Sequence, residues 1–273
     1  MKKRRIWPMA LAALAVLMLA ALDARLKTVA YTVPSEKLSA PVRLAVLTDL
    51  HSCAYGEGQR TLLDAVDAQM PDAVLLVGDI VDDVLPEENA WTTVQVLAKR
   101  YPCAYVTGNH EWWSGEAERI CEQMTNLGVT VLRGGCVTWE LSGQSITIYG
   151  IDDPDSGEDR LSDVGNAINE NTFTILLAHR PERIDQYLVY PFDLIVSGHA
   201  HGGQWRIPGM LNGLYAPHQG LFPKYAGGRY DFDGTTFIVS RGLARESTKL
   251  PRIFNRPELV VVDIVPTGAC VDS

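Results

Sequence analysis

The sequence predicts an α/β fold, and two patterns along the chain carry this prediction. In the first half, short apolar runs alternate with segments of helical periodicity, as in a parallel sheet covered by helices. In the second half, apolar runs and glycine turns follow one another with few helical segments between them. Together the patterns predict a four-layer α/β/β/α sandwich of two mixed sheets flanked by helices. The 273 residues and the hydrophobic content of 47% suit one domain with a substantial core.

The first-half elements follow from the spacing of apolar side chains. Continuous aliphatic runs predict three strands, at residues 42–47, 73–77 and 103–106. Apolar side chains at helical spacing between and after them predict three helices, at residues 59–69, 89–99 and 116–127. The carboxyl ends of the strands are then expected at one edge of a sheet, where open α/β sheets bind their ligands.

The second half contains seven further apolar runs that predict strands. They cover residues 129–132, 137–141, 145–149, 172–177, 193–196, 237–240 and 259–264. The last two are expected to complete the second sheet.

The N-terminus has the pattern of a membrane-targeting segment. Four basic residues at positions 2–5 precede an apolar run at 6–22, which as a helix would be about 25 Å long, at the short limit for crossing a bilayer. Residues 1–25 are therefore predicted to be a membrane anchor or signal segment, 26–40 a linker and 41–273 the folded domain. No convincing cleavage site follows the run, which favours an uncleaved single-pass anchor with an extracytoplasmic body. Secretion after signal cleavage and twin-arginine export through Arg4 and Arg5 stay open.

The charge balance argues against bulk binding of nucleic acid. The formal net charge is −9, and without the four basic residues at 2–5 the balance is 20 basic against 33 acidic residues, or −13. Such a body repels nucleic-acid phosphates, which disfavours a nuclease. The five cysteines are widely and irregularly spaced and favour scattered thiols.

Five of the six histidines lie in short polar clusters directly after apolar runs. Alone, most clusters have ordinary explanations as turns or helix caps. Two histidines two positions apart in Gly-His-Ala-His-Gly-Gly are a stronger signal, because each can face a different metal. Histidine and carboxylate are the usual ligands of divalent transition metals, so the set predicts a metal-dependent hydrolase. The clusters are Asp49-Leu50-His51, Gly78-Asp79, Gly108-Asn109-His110-Glu111, Ala178-His179 and Gly198 to Gly203.

Taken in order, the clusters D-x-H, G-D-x-x-D, G-N-H-E, H and G-H-x-H resemble the calcineurin-like metallophosphoesterases. The resemblance runs from about residue 42 to 264. The stretches 216–220, 240–243 and 254–258 are also similar to the bacterial YkuE/YaeI-like membrane-associated branch, with Ala244 where that branch would have Gly.

The resemblance implies the metallophosphatase fold and two divalent metal ions. Mn, Fe and Zn all suit these nitrogen and oxygen ligands. It implies that Asp79 bridges both ions. The remaining ligands it implies are Asp49, His51 and His201 for the first ion, and Asn109, His179 and His199 for the second.

The resemblance also implies the catalytic roles. A metal-bound hydroxide would attack phosphorus, and His110 would protonate or stabilise the leaving oxygen. Asp82 would orient His110, whereas Glu111 is expected to be structural. Four residues stay open between a site role and an ordinary one: His218, Arg241, Trp112 and Trp113.

The resulting prediction is a membrane-anchored phosphoesterase of the phosphodiesterase or pyrophosphatase type. Its substrate is expected to be a lipid-linked or envelope phosphoester. Two alternatives stay open: a phosphomonoesterase, including a protein phosphatase, on the same metals, and a non-catalytic metal-binding envelope protein. The oligomeric state is not predicted.

Overall fold

The structure, a computed structural model that describes residues 6–246 and 250–268, confirms the predicted four-layer sandwich. Two six-stranded sheets pack face to face, and helices cover their outer surfaces. Fourteen strands are present in the described part of the chain. They are β1 (Lys27–Ser35), β2 (Val42–Leu47), β3 (Ala73–Val77), β4 (Cys103–Val106), β5 (Thr130–Val131), β6 (Gly135–Leu141), β7 (Gln144–Gly150), β8 (Phe173–Leu177), β9 (Leu194–Ser197), β10 (Tyr215–Ala216), β11 (Gly220–Leu221), β12 (Gly228–Phe232), β13 (Thr235–Val239) and β14 (Glu258–Pro266).

Both large sheets are mixed. The first has the order β1-β14-β2-β3-β4-β5, and only the β14–β2 pair is antiparallel. The second has the order β12-β13-β9-β8-β7-β6, with antiparallel pairs at its two edges and parallel pairs between them. Strands β10 and β11 form a separate two-stranded hairpin.

Seven α-helices are present in the described part of the chain. They are α1 (Ile6–Ala21), α2 (Arg60–Asp67), α3 (Glu88–Arg100), α4 (Asn109–Trp113), α5 (Ala117–Asn126), α6 (Leu161–Asn166) and α7 (Ile184–Tyr187). Helices α2, α3 and α5 cover the first sheet, and α6 and α7 cover the second.

Alternation along the strands separates three apolar layers. In β3, Leu75 and Val77 face the core between the sheets, while Val74 and Leu76 pack under the helices. Period-2 alternation explains this division, since successive side chains of a strand point to opposite faces. Strands buried on both faces carry the continuous apolar runs that the sequence shows.

Two strand assignments need correction. The predicted strand at 259–264 exists as β14, but it lies in the first sheet between β1 and β2 and not in the second. The predicted strand at 129–132 likewise joins the first sheet as β5. Periodicity shows that a segment is a buried strand, but it carries no information about which sheet the strand joins.

The interpretation of residues 26–40 as a linker is also corrected. Strand β1 pairs in parallel with β14 over nine residue pairs, so this segment is an edge of the first sheet. Val29, Tyr31 and Val33 point inward, whereas Thr28, Ala30 and Pro34 are exposed. The outward residues gave the segment its polar composition, and a proline is tolerated at a sheet edge.

The helix predicted near the N-terminus is present as α1, and almost all of its described side chains are exposed. Its last residue is tied to the body, because Ala21 O accepts a hydrogen bond of 2.7 Å from the backbone N–H of Phe254. Among the helices of residues 6–246 and 250–268, none is both long enough and apolar enough to cross a bilayer. The basic residues 2–5 lie outside the described residues, as does Cys270.

Candidate metal centre

The loops that follow β2, β3, β4, β8 and β9 meet at one end of the sandwich. Backbone hydrogen bonds join neighbouring loops: Asp49 donates to Gly78 O at 3.0 Å, and His51 donates to Asp79 O at 2.9 Å. The two sheets are linked where the backbone N–H of His199 donates to Asp49 Oδ1 at 2.9 Å. The polar clusters of the sequence therefore form one site.

The side chains at this site fall into two groups that share Asp79. Within each group, the potential ligand atoms lie within 4.8 Å of one another. Asn109 lies beside the shared carboxylate, since the backbone N–H of the next residue, His110, donates to Asp79 Oδ1 at 2.9 Å. The first group contains Asp49, His51, Asp79 and His201, and the second contains Asp79, His179 and His199.

The donor atoms of these residues fit a pair of divalent cations. Six of the seven predicted ligands carry a buried polar atom that has no well-aligned hydrogen-bond partner in the described part of the chain, although His179 Nε2 and Asp79 Oδ2 lie 3.0 Å from each other. Buried polar groups are normally paired, so a cluster of unpaired nitrogen and oxygen atoms indicates a bound cation. The atoms are Asp49 Oδ2, His51 Nε2, Asp79 Oδ2, Asn109 Oδ1, His179 Nε2 and His201 Nδ1.

The ligand-bearing loops turn sharply. Five of the predicted ligands have positive φ angles, between 46° and 64°, a region that non-glycine residues rarely adopt. They are Asp49, His51, Asp79, His199 and His201. Gly108 has a different restriction, because a Cβ atom there would lie 2.2 Å from Asp79 Oδ1. Such conformations concentrate at functional sites, where surrounding contacts hold them.

In each group, one histidine is oriented through its Nδ1 atom. His51 Nδ1 lies 2.8 Å from Asp82 Oδ1, and His179 Nδ1 lies 2.9 Å from Val77 O. Both contacts assign the proton to Nδ1 and leave Nε2 for a cation, as is usual for metal-binding histidines. Burial works to lower the pKa of His179, but the charge of Asp79 raises that pKa to about 10, so a cation bound at Nε2 would replace a proton there. His51 also has a raised pKa, because the carboxylates of Asp82 and Asp79 outweigh its burial.

The carboxylate that orients His110 is Asp83. His110 Nδ1 lies 2.6 Å from Asp83 Oδ1 and 3.5 Å from Asp82 Oδ1. Asp82, which was predicted to orient His110, lies farther from it than Asp83 does and makes its closer contact with His51. Asp82 is fixed in that direction by hydrogen bonds to Oδ2 from the backbone N–H groups of Val84, at 3.1 Å, and Leu85, at 2.8 Å. Sequence spacing does not distinguish two adjacent aspartates on one turn.

Glu111 has the structural role that was expected. Its buried carboxylate accepts hydrogen bonds from four backbone N–H groups, at 2.7–3.1 Å. These belong to Asp79, Ile80, Val81 and Gly108. Glu111 thus joins the loop after β3 to the loop after β4 and fixes the backbone that carries Asp79 and Asn109.

Sequence reasoning missed Arg180, a buried arginine beside the second group. Its guanidinium bonds Asp153 at 2.5 and 2.9 Å, and its Nη1 atom lies 3.3 Å from His199 Nε2 and 2.7 Å from His218 Nδ1. Burial and the positive charges of His179 and Arg180 hold the pKa of His199 well below its usual range. The sequence feature that could have indicated Arg180 is its position directly after the predicted ligand His179.

The four open residues take different places. His218 is half exposed and lies at the edge of the site, with Nδ1 2.9 Å from His199 Nε2. Arg241 pairs with the buried Glu258 at 3.4 Å. Trp112 donates its indole N–H to Thr107 at 3.0 Å, away from the ligand atoms.

Trp113, in contrast, is exposed beside the site. Its ring centre lies 4.8 Å from that of His110, and its indole N–H donates to Asp155 at 2.8 Å. It therefore forms one wall of the approach to His110.

A C-terminal segment supports the loop of His201. Asn255 donates to His201 O at 2.7 Å and to Gln204 O at 3.2 Å. Gly202 permits this contact, because a Cβ atom there would lie 2.2 Å from Asn255 Oδ1. The stretch 254–258, which suggested the YkuE/YaeI-like branch, thus lies against the metal-ligand loop.

Comparison with known proteins finds a matching family model and similar proteins that are named as metallophosphoesterases or as a phosphodiesterase. The family model described as Calcineurin-like phosphoesterase matches residues 42–203. The chain is 29% identical over 235 residues to the uncharacterized metallophosphoesterase YkuE of Bacillus subtilis, covering 83% of this chain and 80% of the relative. It is 27% identical over 234 residues to phosphodiesterase YaeI of Escherichia coli, covering 83% of each protein. Against the uncharacterized metallophosphoesterase Cj0846 of Campylobacter jejuni, the identity is 29% over 250 residues, with 87% and 62% covered.

A solved structure supports the fold alone. The 5′-nucleotidase precursor of Thermus thermophilus superposes with a TM-score of 0.52 at 17% identity, over 75% of this chain and 50% of that chain. The chain therefore spans between half and about four fifths of the lengths of these similar proteins.

Proposed function

The chain belongs to the calcineurin-like phosphoesterase family of metal-dependent phosphoester hydrolases, and we propose that it is a two-metal phosphodiesterase or pyrophosphatase of a cell membrane. The observation that carries the two-metal proposal is the convergence of buried ligand atoms, most without an aligned hydrogen-bond partner, in two groups that share Asp79. Mn, Fe or Zn would suit these donors equally.

The proposed roles follow from which atoms are already engaged. Asp49, His51 and His201 would hold one cation, Asn109, His179 and His199 the other, and Asp79 both. Bound cations would supply Lewis-acid stabilisation of the phosphoryl oxygens and activation of a water for attack on phosphorus.

His110 would act on the leaving group. With Nδ1 engaged by Asp83, His110 has Nε2 available to donate a proton to the departing oxygen. The edge-to-face contact between His110 and His51, with ring centres 4.3 Å apart, keeps this donor beside the first group. Asp82 would act indirectly by orienting His51.

Two observations favour a diester or pyrophosphate over a monoester. The similar protein YaeI is named a phosphodiesterase. His110, whose side chain is 23% exposed, and the exposed Trp113 leave the leaving-group side of the site accessible to a large alkoxide. The alternative is a phosphomonoesterase, including a protein phosphatase, on the same metals. A non-catalytic metal-binding protein of the envelope would lack any need for the Asp83–His110 pair.

We also propose that α1 anchors the enzyme in the membrane, with the body extracytoplasmic and a lipid-linked or envelope phosphoester as substrate. The exposed apolar side chains of α1 and the basic residues 2–5 before it support this placement. Secretion after cleavage of this segment is the alternative.

One assay separates the catalytic alternatives. The full chain in detergent, reconstituted in turn with Mn²⁺, Fe²⁺ and Zn²⁺, is compared on bis-aryl phosphate, mono-aryl phosphate and a panel of lipid-linked phosphodiesters and pyrophosphates. We expect faster turnover of the diester or pyrophosphate. Preference for the monoester would support the phosphatase alternative, and turnover that is unchanged in both Asp79→Asn and His110→Gln would support the non-catalytic one.

Thiol labelling tests the topology. Cys136 is exposed on the body, so in a Cys270→Ser background a membrane-impermeant maleimide should label it in intact cells. Labelling that requires cell lysis would contradict an extracytoplasmic body. Recovery of the labelled protein from the medium, without its first residues, would indicate secretion.

A further inference from the structure

A cluster of exposed apolar side chains lies on the loop between the metal ligand His201 and strand β12. Six of its side chains are between 37% and 86% exposed, and we call this surface the apolar rim. The rim consists of Trp205, Ile207, Met210, Tyr215, Leu221 and Phe222. Tyr215 and Leu221 face each other across the β10–β11 hairpin, and Phe222 N–H donates to Leu214 O at 2.8 Å. The rim is therefore an ordered surface.

The charge of this region differs from that of the rest of the chain. Residues 194–230 contain no Asp or Glu, although the chain carries 33 of them, and they contain Arg206, Lys224 and Arg229. Arg229 pairs with Asp231 at 2.7 Å, which leaves Arg206 and Lys224 as the positive charges of the segment. Basic residues together with exposed tryptophan, tyrosine and aliphatic side chains are the composition of a surface that contacts anionic lipid headgroups.

The rim is connected to the end of α1. Trp205 forms an isolated parallel bridge with Ile253, and the backbone N–H of Arg206 donates to Ile253 O at 2.9 Å. The next residue, Phe254, donates to Ala21 O at the last residue of α1. One short segment, residues 253–254, therefore connects the Trp205 end of the rim to the end of the proposed anchor.

The rim also borders the metal centre. His218 lies between β10 and β11, and its ring contacts His199 and Arg180. A bilayer in contact with the rim would therefore lie next to the rim-side entrance of the site. An interfacial position would let a lipid-linked phosphoester enter without leaving the membrane surface.

We propose that the apolar rim docks on the anionic surface of the membrane that holds α1. The proposal rests on the proposed function, which it extends by fixing how the site faces the lipid. A second copy of this chain or another protein could also cover an apolar surface, and the experiment separates these occupants from a bilayer. The continuity with α1 and the absence of acidic residues in 194–230 favour the bilayer.

The test uses the full chain in vesicles that contain phosphatidylglycerol. An environment-sensitive fluorophore is attached at Met210→Cys or Phe222→Cys, and at Val189→Cys as a control, in a Cys136→Ser/Cys270→Ser background. Val189 is an exposed apolar residue between α7 and β9, outside the rim. We expect a blue shift and a loss of emission with brominated lipids at positions 210 and 222, and neither at 189.

Equal emission at all three positions, or no association with vesicles, would overturn the proposal. So would a dimer in detergent that Phe222→Asp dissociates, if brominated lipids do not quench the labels, because a second copy would then be the occupant.

A second measurement uses Met210→Asp and Phe222→Asp, with Met70→Asp and Val189→Asp as controls. The rim variants should keep bis-aryl phosphate turnover and lose turnover of a phosphodiester lipid embedded in vesicles, whereas the controls keep both. Unchanged vesicle turnover in the rim variants would contradict docking. If no protein turned over bis-aryl phosphate, the proposed function would have failed independently of the fluorescence result.

Discussion

The two ligand groups of the metal centre share Asp79 but differ in the charged side chain that contacts a histidine of each group. In the first group, the carboxylate of Asp82 contacts His51 at 2.8 Å. In the second, the guanidinium of Arg180 lies 3.3 Å from His199. A carboxylate partner makes an imidazole a stronger metal ligand, whereas a nearby cation opposes a bound metal ion. Because these contacts act in opposite directions, we expect the first group to bind its metal more tightly than the second.

The largest expected effect comes from the carboxylate that the groups share. Asp79→Asn should lower turnover of bis-aryl phosphate by about 10³-fold, since metal ions contribute several kcal/mol to transition-state stabilisation. Elemental analysis, which measures the number of metal ions per chain, should find that both ions are lost. Asp64→Asn, at an exposed position, is the control and should change neither quantity. Loss of metal from one group alone would show that Asp79 is not shared.

The second prediction separates proton donation from metal binding. His110→Gln should lower kcat by about 10²- to 10³-fold, as expected for loss of a general acid, while both metals stay bound. The fold decrease in kcat should be larger for substrates whose leaving group is more basic. Asp83→Asn should reproduce this pattern more weakly, because it removes the 2.6 Å contact that orients His110. Metal loss in the His110 variant would contradict a role that is separate from the ligand groups.

The third prediction tests the carboxylate behind the first group. Asp82→Asn should weaken metal binding in that group by about 10- to 100-fold, with activity restored by excess metal. Asp83→Asn is the matched control for metal affinity, because Asp83 contacts His110 and not a proposed ligand. Titration with Mn²⁺ or Zn²⁺ under calorimetry measures both variants. Equal weakening in the two would show that their partners have been assigned wrongly.

The smallest effect is expected on the second group. The pair Arg180→Met/Asp153→Asn should strengthen its metal binding by about fivefold, because a cation is removed from beside His199. The paired substitution is needed since Arg180 alone would leave Asp153 buried without its partner. Calorimetric titration of the double variant, with Asp153→Asn alone as control, gives the difference. Weaker binding would mean that Arg180 helps to hold the ligands in place.

The ligand set could be predicted because it depends on strand order along the chain. Each cluster follows a buried apolar run, and the ends of parallel strands meet at one edge of a sheet. The partner of His110 could not be predicted, since Asp82 and Asp83 are adjacent and only their three-dimensional contacts distinguish them.

Other features could not be predicted from the sequence because they depend on contacts between segments that are distant along the chain. Arg180 is placed by Asp153 and by the ring of His218, which lie 27 and 38 residues away in the chain. Strand β1 is an edge strand with a polar outer side, and β14 returns to the first sheet only after the second is complete. Neither strand pairing can be read from the local sequence, because the neighbour of a strand in a sheet depends on how the whole chain packs.

The four hydrogen bonds of Glu111 have a consequence for how the enzyme obtains its metals. They hold the loops of Asp79 and Asn109 in place through groups that belong to the protein alone. We therefore expect folding to assemble the ligand cage before metal binds, in contrast to small zinc domains that fold only around their ion. A chelator should then empty the centre without melting the protein. Such an enzyme can exchange one metal for another during its lifetime, so the ion it carries would follow the supply in its compartment.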